Sequence, residues 1–531
     1  MTSSLWYKNA VFYQISVRAY QDGNGDGIGD LPGLLTRLDY LQALGVDCLW
    51  LMPLYPSPLR DDGYDVADYC NIAPAYGALD DFQTLLDEAH RRGIRIIMDL
   101  VLNHSSDQHP WFQAARSDRC SPYRDYYVWS DSGREYSQAR IIFSDLESSN
   151  WAWDEQAGQY YWHRFYAHQP DLNYDNPAVQ DEMLNVARFW LKMGVDGFRV
   201  DAPTYLFERE GTNCESLPET HAYLKRLRRV AETEFSGRIL LAETNQWPRD
   251  LREYFGDGDE FHMAFHFPLM PRIFLALARQ QAAPIGEILQ ETPPIPETCQ
   301  WATFLRNHDE LTLEMVTDEE RHFLWQHYAP DPRMRLNLGI RRRLAPLLEN
   351  DRRKIELANA LLFSLPGALI LYYGDEIGMG DNLNLPDRNG VRTPMQWDDS
   401  PHGGFSSAAP FAEIPGGPYA PKNVNAALQM RDPASLWHSL RRMIAIRKQI
   451  PAFGGGGFAW LAVGNLAVAA YLRPHASGDL LALHNLTDAP QEVELPAAWR
   501  GPARDLLSGE ALSLPEKISL PPYAYLWLTA L

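Results

Sequence analysis

The sequence predicts an α/β chain whose main body is a closed barrel of eight parallel strands and eight helices, a TIM (β/α)8 barrel, followed by a small antiparallel β domain. A first observation is a repeated unit of helix-period stretch, glycine and short apolar strand. It appears in "LTRLDYLQALGVDCLWLMP", "FQTLLDEAHRRGIRIIMDLVLNH" and "MLNVARFWLKMGVDGFRVD". Second, the strands of these units are nearly continuous in apolar residues, as parallel strands covered by helices must be. Third, from residue 453 the pattern changes to short alternating runs such as "LAVAAYLR", "DLLALHNL" and "PQEVELP", the mark of an antiparallel β domain.

Each element has a local reason. Gly45, Gly93 and Gly194 stand where a helix C′ residue needs the left-handed conformation. Five further strands are read at "VFYQISV" (11–17), "RILLAE" (238–243), "HMAFHF" (262–267), "ATFLRNHD" (302–309) and "ALILYYGDE" (368–376). That makes eight, and such a barrel carries its site at the C-terminal ends of its strands. Residues 1–104 and 176–452 are assigned to the barrel, and 105–175, rich in aromatics, to a subdomain inserted after the third strand. A stretch from about 377 to 430, rich in Gly, Pro and Asn, follows the eighth strand, and 453–531 is read as a C-terminal β-sandwich.

Composition narrows the partners. A formal net charge of −21 over 531 residues argues against nucleic acid or an anionic membrane surface. Cys48, Cys70, Cys120, Cys214 and Cys299 are odd in number and lack CxxC spacing, which reads as buried thiols in a reducing compartment. No window approaches a membrane span and the N-terminus has no apolar leader, so a cytoplasmic address is expected. Oligomeric state is open, a homo-oligomer included.

The chemistry gathers at strand ends. In "DGFRVDA" (196–202), Phe198 and Val200 point one way while Arg199 and Asp201 point the other. Asp201 closes the fourth strand, Glu243 the fifth and Asp309 the seventh, while His104 follows the third. One such carboxylate is ordinarily a helix cap or a solvated loop residue. Three at the same rim suit glycosidic chemistry, in which a carboxylate captures an oxocarbenium-like centre and a protonated carboxyl feeds the leaving oxygen. Arg199 should hold Asp201 ionised, which makes Asp201 the nucleophile and Glu243 the acid. A carboxyl gap of roughly 5–5.5 Å would mean retention and a wider one inversion, and the residues alone leave both open.

"DLVLNH" (99–104), "GFRVDA" (197–202), "AET" (242–244) and "FLRNHD" (304–309) resemble, in order and spacing, the four signature regions of the α-amylase family of glycoside hydrolases. The resemblance covers nearly the whole chain. It implies retention, with Asp201 as nucleophile, Glu243 as acid/base and Asp309 as transition-state stabiliser. It also implies that His104, Arg199 and His308 surround the glucosyl unit. "DDGYDVADY" (61–69) resembles the segment closing that subsite in exo-acting members, which maps to Asp61 and Tyr64. "GVRTPMQW" (390–397) is similar to a segment whose arginine, here Arg392, reaches the bound disaccharide. The bland alternatives are core packing for Tyr64 and a surface ion pair for Arg392.

The stretches 205–221, 301–321 and 332–353 look like the family's maltose–trehalose isomerase branch, while 382–390 and 409–425 depart from it. The resemblance therefore implies a small neutral disaccharide as partner: maltose or trehalose, with sucrose as the alternative. The rival activities are an exo-acting α-glucosidase and a sucrose-acting isomerase. Trp460 and Trp527 in the C-terminal domain raise a separate idea, carbohydrate binding, against which stands ordinary core packing.

"DGNGDGIGD" (22–30) sets Asp22, Asn24, Asp26 and Asp30 at alternate positions, with the Ile28 carbonyl between. Hard oxygens at that spacing suit a structural Ca²⁺, as in relatives, although the loop is not an EF-hand and a plain Asp/Gly turn is the alternative. A second Ca²⁺ site is implied by resemblance alone: Asn103, Asp171 and Glu208, with the carbonyls of Tyr205 and Leu206. No redox cofactor is needed by this chemistry.

Overall fold

A computed structural model describes residues 5–531. Eight strands form the barrel: β1 (Val11–Ile15), β2 (Cys48–Leu51), β3 (Arg95–Val101), β4 (Gly197–Asp201), β5 (Ile239–Ala242), β6 (Met263–Phe265), β7 (Gln300–Phe304) and β8 (Ala368–Tyr372). They pair in chain order, all parallel, and β8 closes on β1. Apart from Arg95 every strand residue is buried, one face by the covering helices and the other by the barrel interior. That is why these strands read as unbroken apolar runs instead of alternating ones.

The strands are shorter than the sequence suggests. β7 stops at Phe304, so Asp309 stands on the following loop, where its N–H bonds to Asn307 Oδ1 at 3.0 Å instead of entering the ladder. Glu243 likewise lies one residue past β5 and His104 three past β3. Upstream of β4, α1 (Pro177–Met193) ends at Gly194 with φ 113°, the left-handed C-cap expected there.

Residues 105–175 form a layer over the rim, with a helix (Pro110–Ser117) and a three-stranded antiparallel sheet of Trp129–Ser130, Trp151–Asp154 and Gln159–Trp162. Its return end is tied to its start by the bridges His104–Asp171 and Tyr127–Leu172.

The C-terminal domain is a two-sheet unit, one of six strands and one of two, Gln491–Glu494 with Lys517–Leu520. Val468, Ala470, Leu481, Leu483, Val493 and Leu520 fill the space between the sheets. The other face of the large sheet joins the barrel core through Ala469, Tyr471, Ala482 and Trp527. Trp527 is fully buried against Phe453 and Trp460 covers Gly286, so both tryptophans are packing residues and the carbohydrate-binding idea has no platform in them.

All five cysteines are free. Cys48, Cys214 and Cys299 are buried, but Cys70 and Cys120 are exposed, which corrects the expectation of five buried thiols: Cys70 lies on a turn after β2 and Cys120 on a turn of the inserted layer.

One glycine is indispensable to the site strand. Gly197 opens β4 with φ 149°, and a Cβ there would collide with the Ile239 carbonyl oxygen on β5. Gly197→Ala should therefore cost about 1–3 kcal/mol, read as a lower thermal midpoint and reduced soluble yield.

Candidate active site

Register assembles the centre of the site. On neighbouring strands Asp99 of β3 lies directly across from Arg199 of β4, with Val101 across from Asp201. Residues in register on one face of a barrel meet inside it. Arg199 Nη1 contacts Asp99 and, at 2.6 Å, Asp201 Oδ1, while Nη2 contacts Glu243. Its guanidinium also lies over the rings of Trp50 (5.3 Å) and Tyr64 (5.4 Å). Buried ions of this kind cost several kcal/mol each unless paired, so three carboxyls on one cation is a compensated but tense arrangement.

The carboxyls differ in proton affinity. Burial raises Glu243, and the charges of Asp201 and Asp309 add to it, outweighing contact with Arg199, so its pKa reaches about 8. Burial also raises Asp201, to about 6, because the Arg199 charge that opposes burial is shared with Asp99. The expectation that Arg199 alone would hold Asp201 low is thus corrected, although Asp201 remains the more acidic of the pair. Asp201 and Glu243 both touch the one Arg199 guanidinium, which favours the short side of the two carboxyl spacings known for glycosidases, the retaining side.

Asp309 is the opposite case. Burial would raise it, but His308, Arg388 and Arg392 surround it and hold its carboxyl well below the usual range. Arg388 Nη1 and Arg392 Nη2 each donate to Oδ1 at 2.9 Å. His308 is held neutral by burial. Gln14 Nε2 lies 2.6 Å from its Nδ1; with that amide donating, the ring proton sits on Nε2, facing Asp309 Oδ2 at 3.1 Å and Tyr64 Oη at 2.8 Å. Asp61 pairs with Arg388 Nη2 at 2.8 Å and accepts from Gln169 Nε2 at 3.0 Å.

Asp61, Tyr64, His104, Asp201, Glu243, His308 and Asp309 all line one cavity at the mouth of the barrel. Arg199 lies behind it, touching the carboxyls from within. Ile142, Phe143 and Phe165 of the inserted layer form an apolar wall, and Glu310, Thr312 and Glu314 line the side that follows β7. A buried, protonated carboxyl beside an ionised one, with a third carboxylate opposite, can cleave and remake a glycosidic bond.

One expected residue stands outside the cavity wall. Arg392 does not reach the cavity: its Nε donates to the His308 carbonyl at 2.8 Å and its Nη2 to Asp309, so it is committed behind the site. The arginine at the wall is Arg388, four residues earlier, on a loop without any periodicity that could have marked it. Asp99 was missed too, yet it carried a signal, being a lone charge within the apolar run of β3. Gln14 and Gln169 gave none.

The two proposed metal loops differ. Asp22 accepts backbone N–H bonds from Asn24, Gly25 and Gly27 and a hydroxyl from Ser406, while Asp30 accepts from Gly23 and Gly33 and caps a helix. Asn24 and Asp26 accept from Asp26 and Ile28 N–H groups, and no cluster of three acidic, His or Cys ligands exists among the described residues. This loop is held by its own hydrogen bonds. At the other place Asn103 Oδ1, Asp171 Oδ2 and Glu208 Oε1 are all buried with no hydrogen-bond partner. Burial raises Asp171 to about 8, and burial together with the Asp171 charge pushes Glu208 well up. Tyr205 and Leu206 close the turn that follows β4, two to three residues before Glu208. Orphaned hard oxygens in a buried pocket fit a divalent cation such as Ca²⁺.

Comparison with known proteins agrees with this geometry. Residues 14–329 and 340–456 match the family model "Alpha amylase, catalytic domain". Residues 465–528 match that of the D-apionate lactonase C-terminal immunoglobulin-like domain. The chain is 56% identical to a trehalose synthase/amylase of Mycobacterium tuberculosis, over 98% of this chain and 90% of that protein. It is 58% identical to a trehalose synthase of Pimelobacter sp., over 92% and 88% respectively. Among solved structures, a trehalulose synthase, MutB, superposes with a TM-score of 0.82 at 29% identity, covering 99% of this chain and 100% of that one.

Turnover that needs Asp201 ionised and Glu243 protonated should fall below about pH 6 and above about pH 8. A pH profile of kcat/KM on the free enzyme checks both limbs, and Glu243→Gln should remove the alkaline one.

Proposed function

The chain belongs to the α-amylase family, and from that premise we propose that it interconverts maltose and trehalose by intramolecular glucosyl transfer with retention of configuration. The observation that carries this reading is the carboxyl pair Asp201 and Glu243 on one buried guanidinium, at the wall of one cavity at the mouth of the barrel. The near-full-length likeness to trehalose synthases supports the choice of substrate.

In this reading Glu243 gives its proton to the bridging oxygen of maltose as Asp201 attacks the anomeric carbon. Asp309, kept ionised by its two arginines, faces the charge that develops on the ring. Tyr64, His104 and His308 meet the ring's face and hydroxyls, and the Asp61–Arg388 pair closes the pocket. The freed glucose turns in place. Its anomeric hydroxyl returns a proton to Glu243 and attacks the glucosyl–Asp201 bond, giving trehalose. Water entering during this interval takes the glucosyl group instead, so free glucose is the leakage product.

The unpartnered oxygens of Asn103, Asp171 and Glu208 suggest a structural ion. Ca²⁺ would be held by Asn103, Asp171 and Glu208, with the carbonyls of Tyr205 and Leu206, and would neutralise charge there while tying the inserted layer to β3 and the turn after β4. The Asp22–Asp30 loop, with Asn24, Asp26 and Ile28, is the weaker candidate because its oxygens already have partners. No helix among the described residues is long and apolar enough to cross a membrane. Five free thiols favour a reducing, cytoplasmic setting.

Incubation with maltose, with products separated by chromatography, should yield mainly trehalose with a minor share of glucose; mostly glucose would reject the isomerase reading. A parallel incubation with sucrose tests the rival substrate. Asp201→Asn should lower kcat by roughly 10³-fold or more while leaving the thermal midpoint nearly unchanged. Chelation should lower that midpoint and added Ca²⁺ restore it, and Glu208→Gln should blunt the response to both.

A further inference from the structure

The stretch 332–353 resembles the isomerase branch, yet no part of it lines the cavity. What it does is structural in an unusual place. After a short turn, Pro332–Met334, the chain makes an antiparallel pair, Arg335–Leu336 with Gly339–Ile340. The second of these also pairs with Leu311–Thr312, which directly follows Asp309 and Glu310. The fit is close, since a Cβ on Gly339 would meet Glu310 Cγ at 2.6 Å and the Leu311 carbonyl oxygen at 2.8 Å.

Two side chains of this arm reach outward. Asn337, at its tip, has φ 48°, a left-handed conformation that costs a non-glycine residue energy. There its Nδ2 donates to Glu310 Oε1 at 2.9 Å, and its backbone N–H donates to Asp145 Oδ2 of the inserted layer, also at 2.9 Å. Glu310 lines the cavity, and its other oxygen is buried without a partner. Arg341, at the base, spends its guanidinium on backbone alone. Nη1 donates to the carbonyls of Leu385 and Asp387 at 2.7 Å each, Nη2 to Leu383 at 3.2 Å, and Nε to Arg333 at 2.6 Å. The loop so gripped presents Arg388 to Asp61 and Asp309, and its Asp387 accepts from Tyr166 of the inserted layer at 3.0 Å.

Three separate loops therefore roof the cavity, and all three are fastened to this one arm. We propose that Asn337 and Arg341 are positioning residues that keep the roof closed over the freed glucose, and so set the partition between transfer and hydrolysis. The inference rests on the maltose–trehalose reading. Neither residue touches the reacting atoms. Loosening either one leaves Asp201 and Glu243 in place to form the glucosyl intermediate, but admits water and releases glucose before the return step.

The test is the product ratio from maltose, which does not depend on how much of a preparation is folded. Arg341→Met removes the grip on 383–387. Asn337→Gly keeps the left-handed backbone and the N–H bond to Asp145, and removes only the bond to Glu310, so it carries the test should Arg341→Met fail to fold. In each variant the glucose-to-trehalose ratio should rise about fivefold or more, while maltose consumption falls less than about threefold. A ratio within twofold of the parent's, whether or not the rate drops, would mean a merely structural arm and overturn the proposal. Trehalose absent from the unaltered enzyme overturns the parent reading together with this one; trehalose present and the ratio unmoved overturns this one alone.

Discussion

One buried cation, Arg199, conditions the whole site. It is shared by Asp99, Asp201 and Glu243, which come from or just after three adjacent strands, and it lies behind the cavity where water does not reach. In isolation each of these ions would be expelled from a protein interior. Together they are held because parallel pairing sets Asp99 opposite Arg199, and a slip by one residue would turn both to the helix-covered face. The barrel's register is thus a condition of the chemistry, and the close packing of Gly197 against β5 is part of that condition.

The same cluster divides the labour among carboxyls that are alike in chemistry. Glu243 sees burial and two neighbouring carboxylates, and keeps its proton near neutrality. Asp309 sees two arginines and a neutral histidine's N–H, which hold its carboxyl well below the usual range. Asp201 falls between. Acid, nucleophile and charge stabiliser are separated by surroundings alone, with no need for different side-chain types.

Around this rigid centre the enclosing parts are irregular and tied by polar contacts. The inserted layer meets the post-β7 and post-β8 loops through Asp145, Tyr166 and Phe143, which lies 5.3 Å from the Arg388 guanidinium. Behind it sit the unpaired oxygens of Asn103, Asp171 and Glu208. The C-terminal domain is far better anchored. Arg473 donates to the Ser364 carbonyl at the end of helix Arg352–Ser364 at 2.7 Å, Tyr471 Oη lies 2.7 Å from Ser364 Oγ, and one sheet face merges with the barrel core. It serves as support for the barrel.

The barrel, its eight strands, the insertion and the carboxylates Asp201, Glu243 and Asp309 were legible in the chain, because a strand buried on both faces must be apolar and a charge within or just after it stands out. Asp99 was legible by the same rule. Arg388, Gln14, Gln169, Asn337 and Arg341 were not, for they sit on loops or pair across hundreds of residues, and nothing local marks them. Arg388 and Arg392 show the same limit: two arginines four residues apart look equivalent until one is seen donating to the His308 carbonyl. Sequence alone determined which groups stand at the strand ends, since patterning follows the strand's period. Only the tertiary structure decided their protonation order and what encloses them, because desolvation and long-range ion pairing depend on which distant side chains fill the surrounding space.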